Sequence, residues 1–471
     1  MNKAVHLDEL PYRADSCELF ERIRPLTGAA LLDSSYPHAS SGRYDILAAD
    51  PIDAGLPTLP AEAGEAECRG FFEQLGDFHR CHYEGIQPAA QEIPFCGGIL
   101  GFFSYDCGNS LNGITRRGIA RRGIARRGDA RHPKVLPGGE LPPAVHLHAY
   151  DWCVIQDHLL QRAVLVAQPG VSAARRNDLL ARLRGPLTDR RGPFHLSEPF
   201  SSNFTAREYR TAFERIQAYI QAGDCYQVNL AQRFSAACEG DPWQAYRQLR
   251  VAAAAPFSAY LDLADRGAAI CLSPERFISL HGHHVETSPI KGTRPRQGDA
   301  VADRLAALEL HSSEKDRAEN LMIVDLLRND LGRSCVPGSI HVDRLFEVQS
   351  FPTVHHLVST ISGELQPDRG FAELLRDSFP GGSITGAPKR RAMEIIAELE
   401  PDARRLYCGA VLYISADGRM DSNIAIRSLL CERSQIHCWA GGGIVADSQW
   451  QQEYQETYDK VGKFLNLLEA L

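Results

Sequence analysis

Hydrophobic and polar positions change period several times along this 471-residue chain, and the changes mark its elements. After a stretch rich in proline, glycine and charge, RGPLTDRRGPFHLSEPFSSN from Arg184 to Asn203, Thr205 is followed three residues later by Glu208, the spacing of a capping box. That spacing predicts an amphipathic helix to about Ala222, ended by Gly223 and Asp224, and the alternation in CYQVNLAQRF then predicts a strand. Strand-like runs crowd the second half: GAAICLSPERFISL, HHVETSPI, YCGAVLYIS, NIAIRSLLCE and SQIHCWAGGGIV. Long helical patterns separate some of them and short turns join others, which predicts an α+β fold with mainly antiparallel sheets rather than regular βαβ units. SSEKDRAENLMIVDLLRNDLGR, from Ser312 to Arg333, consists of good helix formers with Gly332 near its end, and the final DSQWQQEYQETYDKVGKFLNLLEAL is helical in pattern too.

Two further stretches break the alternation. PGGSITGAPKRRAM, from Pro380, reads as a glycine loop running into a helix. GITRRGIARRGIARRGDAR, residues 113–131, repeats a pentad of two arginines, glycine, isoleucine and alanine, with glycines too frequent for a stable helix. It reads as a solvated insertion in a surface loop, with a basic arm for RNA or an acidic partner as the alternative. The proline-rich stretch divides an N-terminal region, 1–190, from a C-terminal region, 200–471.

Composition narrows the classes. The chain is longer than one core usually grows, so one composite domain or two closely packed ones are expected, and 44% apolar residues suffice for a substantial core. A net charge of −8 argues against a general nucleic-acid surface. The N-terminus lacks the unbroken apolar stretch of a signal peptide, and no run is long enough to span a bilayer, so a soluble cytoplasmic protein with no membrane contact is expected. Thirteen scattered cysteines without CxxC spacing fit neither a zinc cluster nor a disulfide scaffold.

Spacing also yields candidate chemistry. Asp316 and Glu319 lie three apart on one predicted helix and Glu453 and Glu456 three apart on another, so each pair shares a face. Four carboxylates brought together would repel unless a hard cation sat between them, and Mg2+ prefers oxygen ligands. Spacing alone leaves two solvated faces as the alternative.

The segments ETSPIKGTRPR, AENLMIVDLLRND, GSITGAPK, NIAIRS and AGGGIVADS, in this order, resemble the chorismate-utilising enzymes of the anthranilate synthase type. The resemblance covers nearly the whole chain and is densest from Asn203 onward. It implies that family's sandwich of two mainly antiparallel sheets flanked by helices. It also implies Mg2+ held directly by Glu319 and Glu456, with Asp316 and Glu453 acting through water. Arg427 and Tyr407 match substrate-gripping positions, and Gly441, Gly442 and Gly443 match a loop whose amides can approach a carboxylate. Thr385 matches a substrate-facing threonine and His356 a histidine near the reacting ring.

Chorismate is a dicarboxylate with a poor hydroxyl leaving group, so its enzyme has to neutralise two charges, protonate the departing hydroxyl and deliver a nucleophile. The resemblance makes Glu275 the general acid, brought toward Lys291 by a hairpin turning at HGHH. Lys291 becomes a covalent nucleophile whose adduct ammonia then displaces; the alternative is a lysine that only pairs with substrate. Members that make anthranilate carry alanine at this position and those that make aminodeoxychorismate often carry lysine. Hydrating members need a lysine where this chain has Gln227, so amination to 4-amino-4-deoxychorismate is implied, with anthranilate as runner-up. A non-catalytic paralogue that binds tryptophan or a partner is the reading from another class.

No glutaminase elbow such as GxCxGxQ occurs, which implies a separate glutamine amidotransferase subunit as the source of ammonia. The chain ends at its second acidic helix, so no fused lyase is expected. ALLDSS, GRYDILAADP and PFCGGILGFFSYD resemble the half that holds tryptophan in relatives, where Ser34, Arg43, Pro256 and Phe257 match parts of that pocket.

Overall fold

A computed structural model describes residues 3–39, 42–60, 62–114, 144–187, 192–351 and 354–471. Residues 115–131 of the arginine repeat lie outside the described set. Among the described residues the strands form two large antiparallel sheets, of 13 and 9 strands, beside a small parallel pair. The α+β expectation holds, with the strands gathered into these sheets and helices packed on them.

Strands from both sides of the proline-rich stretch enter both sheets. In the larger one, Ala30–Asp33 pairs on one edge with Tyr44–Ala48 and on the other with Phe257–Asp262. In the smaller one, Gly98–Phe103 pairs with Ala410–Ser415. The stretch itself contributes short strands, His195–Leu196 and Ser201–Ser202, which pair with the long strand Gln227–Glu239.

The larger sheet is buried on both faces. Along Trp152–Asp157, Cys153 and Ile155 join the core shared with the smaller sheet, whereas Trp152 and Val154 join a second core that also takes in Phe20, Trp243 and Phe464 from helices. The period of two puts alternate side chains on opposite faces, and both find apolar partners.

The two sheets are joined where strands cross from one to the other. GAAICLSPERFISL reads as one run but is two strands, Ala268–Ser273 in the larger sheet and Arg276–His281 in the smaller. Pro274 lacks a donor for the ladder at the break, and the Ser273 hydroxyl donates to the Ile424 carbonyl at 2.6 Å. NIAIRSLLCE breaks in the same way, between Met420–Asn423 in the smaller sheet and Ser428–Glu432 in the larger, with Arg427 in the left-handed region at φ 51°. Glu275 and Arg427 therefore sit at two neighbouring crossings, tied by the Ile424 amide donating to the Glu275 carbonyl at 3.0 Å.

Local signals that act over a few residues appear as expected. Helix Ala206–Gln221 opens on the Thr205/Glu208 capping box and is capped at Ala222, and Gln227–Glu239 follows as a strand. The acidic helices are Glu314–Leu331, capped by Gly332, and Trp450–Glu469. The loop after Pro380 is a 3-10 turn, Gly382–Ile384, and a short strand before helix Lys389–Leu399.

Candidate active site

Lys291 lies on strand Ile290–Pro295, where a bulge at Gly292, φ 74°, interrupts the register against Val354–Glu364. A Cβ at Gly292 would lie 2.8 Å from Leu310 and 2.9 Å from the Asp316 carboxyl carbon, so only glycine lets the acidic helix close against this strand. Lys291 Nζ donates to the Ser383 carbonyl at 3.1 Å, and the Ser383 hydroxyl donates to Glu275 Oε1 at 2.8 Å. Glu275 is buried, which pushes its carboxyl above the usual range, while Lys291, the Ser383 hydroxyl and the Ile290 amide pull it back. The acid and the amine thus meet around one loop residue.

His356 pairs in register with Thr293, two residues beyond Lys291, and its Nδ1 shares a 2.9 Å hydrogen bond with the Thr293 hydroxyl. Burial, with the Arg427 charge added, lowers its imidazole to about 4, so the ring is neutral throughout the physiological range. The half-buried Arg427 guanidinium has no acidic or hydrogen-bonding partner among the described residues. Burial alone lowers its pKa.

Of the acidic helices, Glu314–Leu331 packs against the Lys291 strand and Trp450–Glu469 against Gln435–Ile444. Burial raises the Glu319 carboxyl, with Asp316 and Glu456 raising it further and Lys291 and Lys315 lowering it. Glu453, also raised by burial, accepts from the Ser448 hydroxyl at 2.7 Å. Asp316 pairs with Arg294 at 3.2 Å and Glu456 with Lys460 at 2.5 Å. Among the described residues no three His, Cys, Asp or Glu side chains are gathered as a ready-made metal cluster. The donor chemistry nonetheless suits a hard cation, because Glu456 of one helix is near enough to raise the Glu319 carboxyl of the other by repulsion. Gly442 leaves room beside the second helix, since a Cβ there would lie 2.9 Å from Glu453 Oε2 and within ordinary contact, 3.4 Å, of Glu456 Oε1.

Gly441, Gly442 and Gly443 lie in strand Gln435–Ile444, paired with Gln227–Glu239. Lys460 Nζ donates to the Gly441 carbonyl at 2.8 Å, and a Cβ at Gly443 would collide with the Gln227 side chain, whose buried Oε1 has no partner among the described residues. The Thr385 hydroxyl is buried and faces its own loop, 3.2 Å from the Gly381 and Gly382 carbonyls. Tyr407 is buried beside the Arg404 guanidinium, in a turn bonded to Ala425 through Cys408.

The four candidates for a tryptophan pocket are divided between the two regions. The Ser34 hydroxyl is buried without a partner among the described residues, Arg43 is paired with Asp157 at 2.7 Å, and the Phe257 ring lies under the Arg276 guanidinium. Pro256 precedes Phe257 at the start of its strand. Sequence reasoning missed Ser383 and Lys460. Ser383 sits in the quoted GSITGAPK motif, and Lys460 follows Glu456 by four residues, a spacing that pairs charges on a helix.

The family model described as chorismate binding enzyme matches residues 59–466. The protein of Salmonella typhimurium named aminodeoxychorismate synthase component 1 is 46% identical over 467 residues, covering 98% of this chain and 97% of its own. The Escherichia coli K12 protein of the same name is 44% identical, with 98% of each chain covered. The crystal structure of anthranilate synthase component I from Streptococcus pneumoniae superposes with a TM-score of 0.71 at 29% identity, covering 90% of this chain and 92% of that one.

Proposed function

We propose, from the premise that this chain belongs to the chorismate binding enzyme family, that it aminates chorismate to 4-amino-4-deoxychorismate, the precursor of 4-aminobenzoate and folate. The carrying observation is the similarity, at 46% identity over nearly the full length, to a protein named aminodeoxychorismate synthase component 1. What supports it in the site is an amine and a buried acid that meet at Ser383, with the Arg427 guanidinium near His356 at the neighbouring sheet crossing.

Arg427 takes one substrate carboxylate through a planar, bidentate fork. Glu275, held toward its protonated form by burial, protonates the departing ring hydroxyl. Lys291 attacks the ring carbon two positions along, and ammonia then displaces it. His356, neutral at the pH of the cell, can donate or accept a hydrogen bond beside the ring but adds no charge. Glu319 and Glu456, backed by Asp316 and Glu453, are the residues that would hold Mg2+, which supplies positive charge for the second carboxylate. Gly442→Ala pushes a methyl group against the Glu453 carboxylate and into contact with that of Glu456, so titration calorimetry should show Mg2+ binding weakened roughly 10-fold.

The word component in the relatives' names fits a second subunit, a glutamine amidotransferase that delivers ammonia. In the N-terminal half, the Ser34 hydroxyl, without a partner among the described residues, is available to the amino or carboxylate group of a bound tryptophan, while Arg43 is already committed to Asp157. Chorismate with Mg2+ and ammonium is the direct assay. Consumption of chorismate to 4-amino-4-deoxychorismate is expected, anthranilate as product would move the chain to the other branch, and no consumption would leave a non-catalytic binder. Among the described residues no helix is long and apolar enough to cross a membrane.

A further inference from the structure

Ser383 makes two hydrogen bonds of opposite sense to the two groups that carry the chemistry. Its backbone carbonyl accepts from Lys291 Nζ at 3.1 Å, and its side-chain hydroxyl donates to Glu275 Oε1 at 2.8 Å. The residue is buried, and its position is fixed by packing from several elements. A Cβ on Gly382 would lie 2.6 Å from Leu326 of the acidic helix, and one on Gly381 would lie 2.5 Å from Ile424 at the sheet crossing, so the loop is wedged between the two. The Thr385 hydroxyl bonds back to the Gly381 and Gly382 carbonyls, and buried Arg404 donates to the Ile384 carbonyl at 2.9 Å. A loop anchored at so many points has little freedom to let Ser383 drift.

We propose that Ser383 is the positioning residue of this site, holding Glu275 and Lys291 at a fixed separation so that one proton serves both. The proposal rests on the amination reading above. An ammonium cannot attack, and a carboxylate cannot protonate a leaving hydroxyl. A proton passed from Lys291 to Glu275 changes both groups into the forms the reaction requires. The lone pair of the free amine then forms the bond to the ring carbon, the diene electrons shift, and the carbon–oxygen bond of the ring hydroxyl breaks. The proton on Glu275 leaves with that oxygen as water. Atoms and charge balance, because the proton lost by the amine departs in the water and the adduct nitrogen carries the positive charge until ammonia displaces it.

The hydroxyl contributes to this step only through Glu275, so its removal should act on turnover and leave binding alone. Ser383→Ala is expected to lower kcat by about 10- to 100-fold with KM for chorismate within about threefold of the parent, and Ser383→Thr, which keeps the hydroxyl, should recover most of the loss. Rapid-quench mass spectrometry of Ser383→Ala should show the Lys291 adduct forming more slowly by the same factor. Should the alanine chain fail to fold, Ser383→Cys has the same shape and a weaker donor, and carries the same expectation. An unchanged kcat, a KM that rises with kcat intact, or a threonine variant no better than alanine would each overturn the assignment. A parent enzyme that does not consume chorismate would instead overturn the reading on which it rests, so the two failures are told apart by the parent control.

Discussion

Lys291→Ala should lose about 10³-fold in kcat/KM for 4-amino-4-deoxychorismate formation, roughly 4 kcal/mol of transition-state stabilisation at about 1.4 kcal/mol per tenfold. The parent enzyme, quenched during turnover, should carry on Lys291 the mass of chorismate less one water, and the variant should carry nothing. The physical ground is the placement of the amine. A free lysine in solution is a poor competitor for an allylic carbon, but one held beside a bound ring reacts at a high effective concentration. Here the strand bulge at Gly292 and the Ser383 carbonyl fix where the nitrogen sits. Lys291→Arg keeps positive charge in the same region while abolishing nucleophilicity, and so separates the covalent role from simple pairing with the substrate. Full activity in either variant, assayed with ammonium, would remove the covalent step from the mechanism.

Arg427→Met should raise KM for chorismate roughly 100-fold, close to 3 kcal/mol, because truncating one member of a desolvated charge pair costs about 2–5 kcal/mol. The same change should leave the thermal unfolding midpoint where it was or raise it. These opposite effects follow from one observation. The guanidinium is half-buried, its pKa is lowered by burial, and no carboxylate answers it among the described residues. In the free protein such a charge is a cost to folding, and a methionine of similar length removes it while filling the space. Differential scanning calorimetry and steady-state kinetics on the same preparation measure both halves. A fall in the unfolding midpoint together with an unchanged KM would make Arg427 a structural residue.

Much of the site was legible because its signals are local. Two acids three residues apart on a helix share a face whatever the rest of the chain does, and Thr205 with Glu208 caps a helix through contacts made within one turn. The turn at HGHH likewise yields the hairpin of Arg276–His281 and His284–Ser288. What could not be read was which sheet each strand would join. Alternation reports that successive side chains point to opposite faces, but in a sheet covered on both sides both faces are apolar, and the pattern carries no mark of a crossing. For this reason GAAICLSPERFISL and NIAIRSLLCE read as continuous strands, although they break next to Glu275 and Arg427 of the candidate site. Ser383 escaped notice for a related reason. Its partners lie 92 and 108 residues away in sequence, and a serine in a glycine loop carries no local sign of what its hydroxyl will meet. The N-terminal region raised the same difficulty, since hydrogen-bond partners of Ala30–Asp33 and Gly98–Phe103 lie beyond residue 250 and beyond residue 400.

That interleaving has a consequence for how the protein is made. As the chain leaves the ribosome, Gly98–Phe103 emerges long before Ala410–Ser415, the neighbour that will cover one of its edges. At roughly 5–20 residues per second, synthesis of the intervening chain takes on the order of tens of seconds. Throughout that interval an all-apolar strand has an open row of amides and carbonyls, the kind of template that pairs with any other exposed strand. The nascent first half therefore has to be shielded, by a chaperone or by its own transient collapse, until the last quarter of the message has been read.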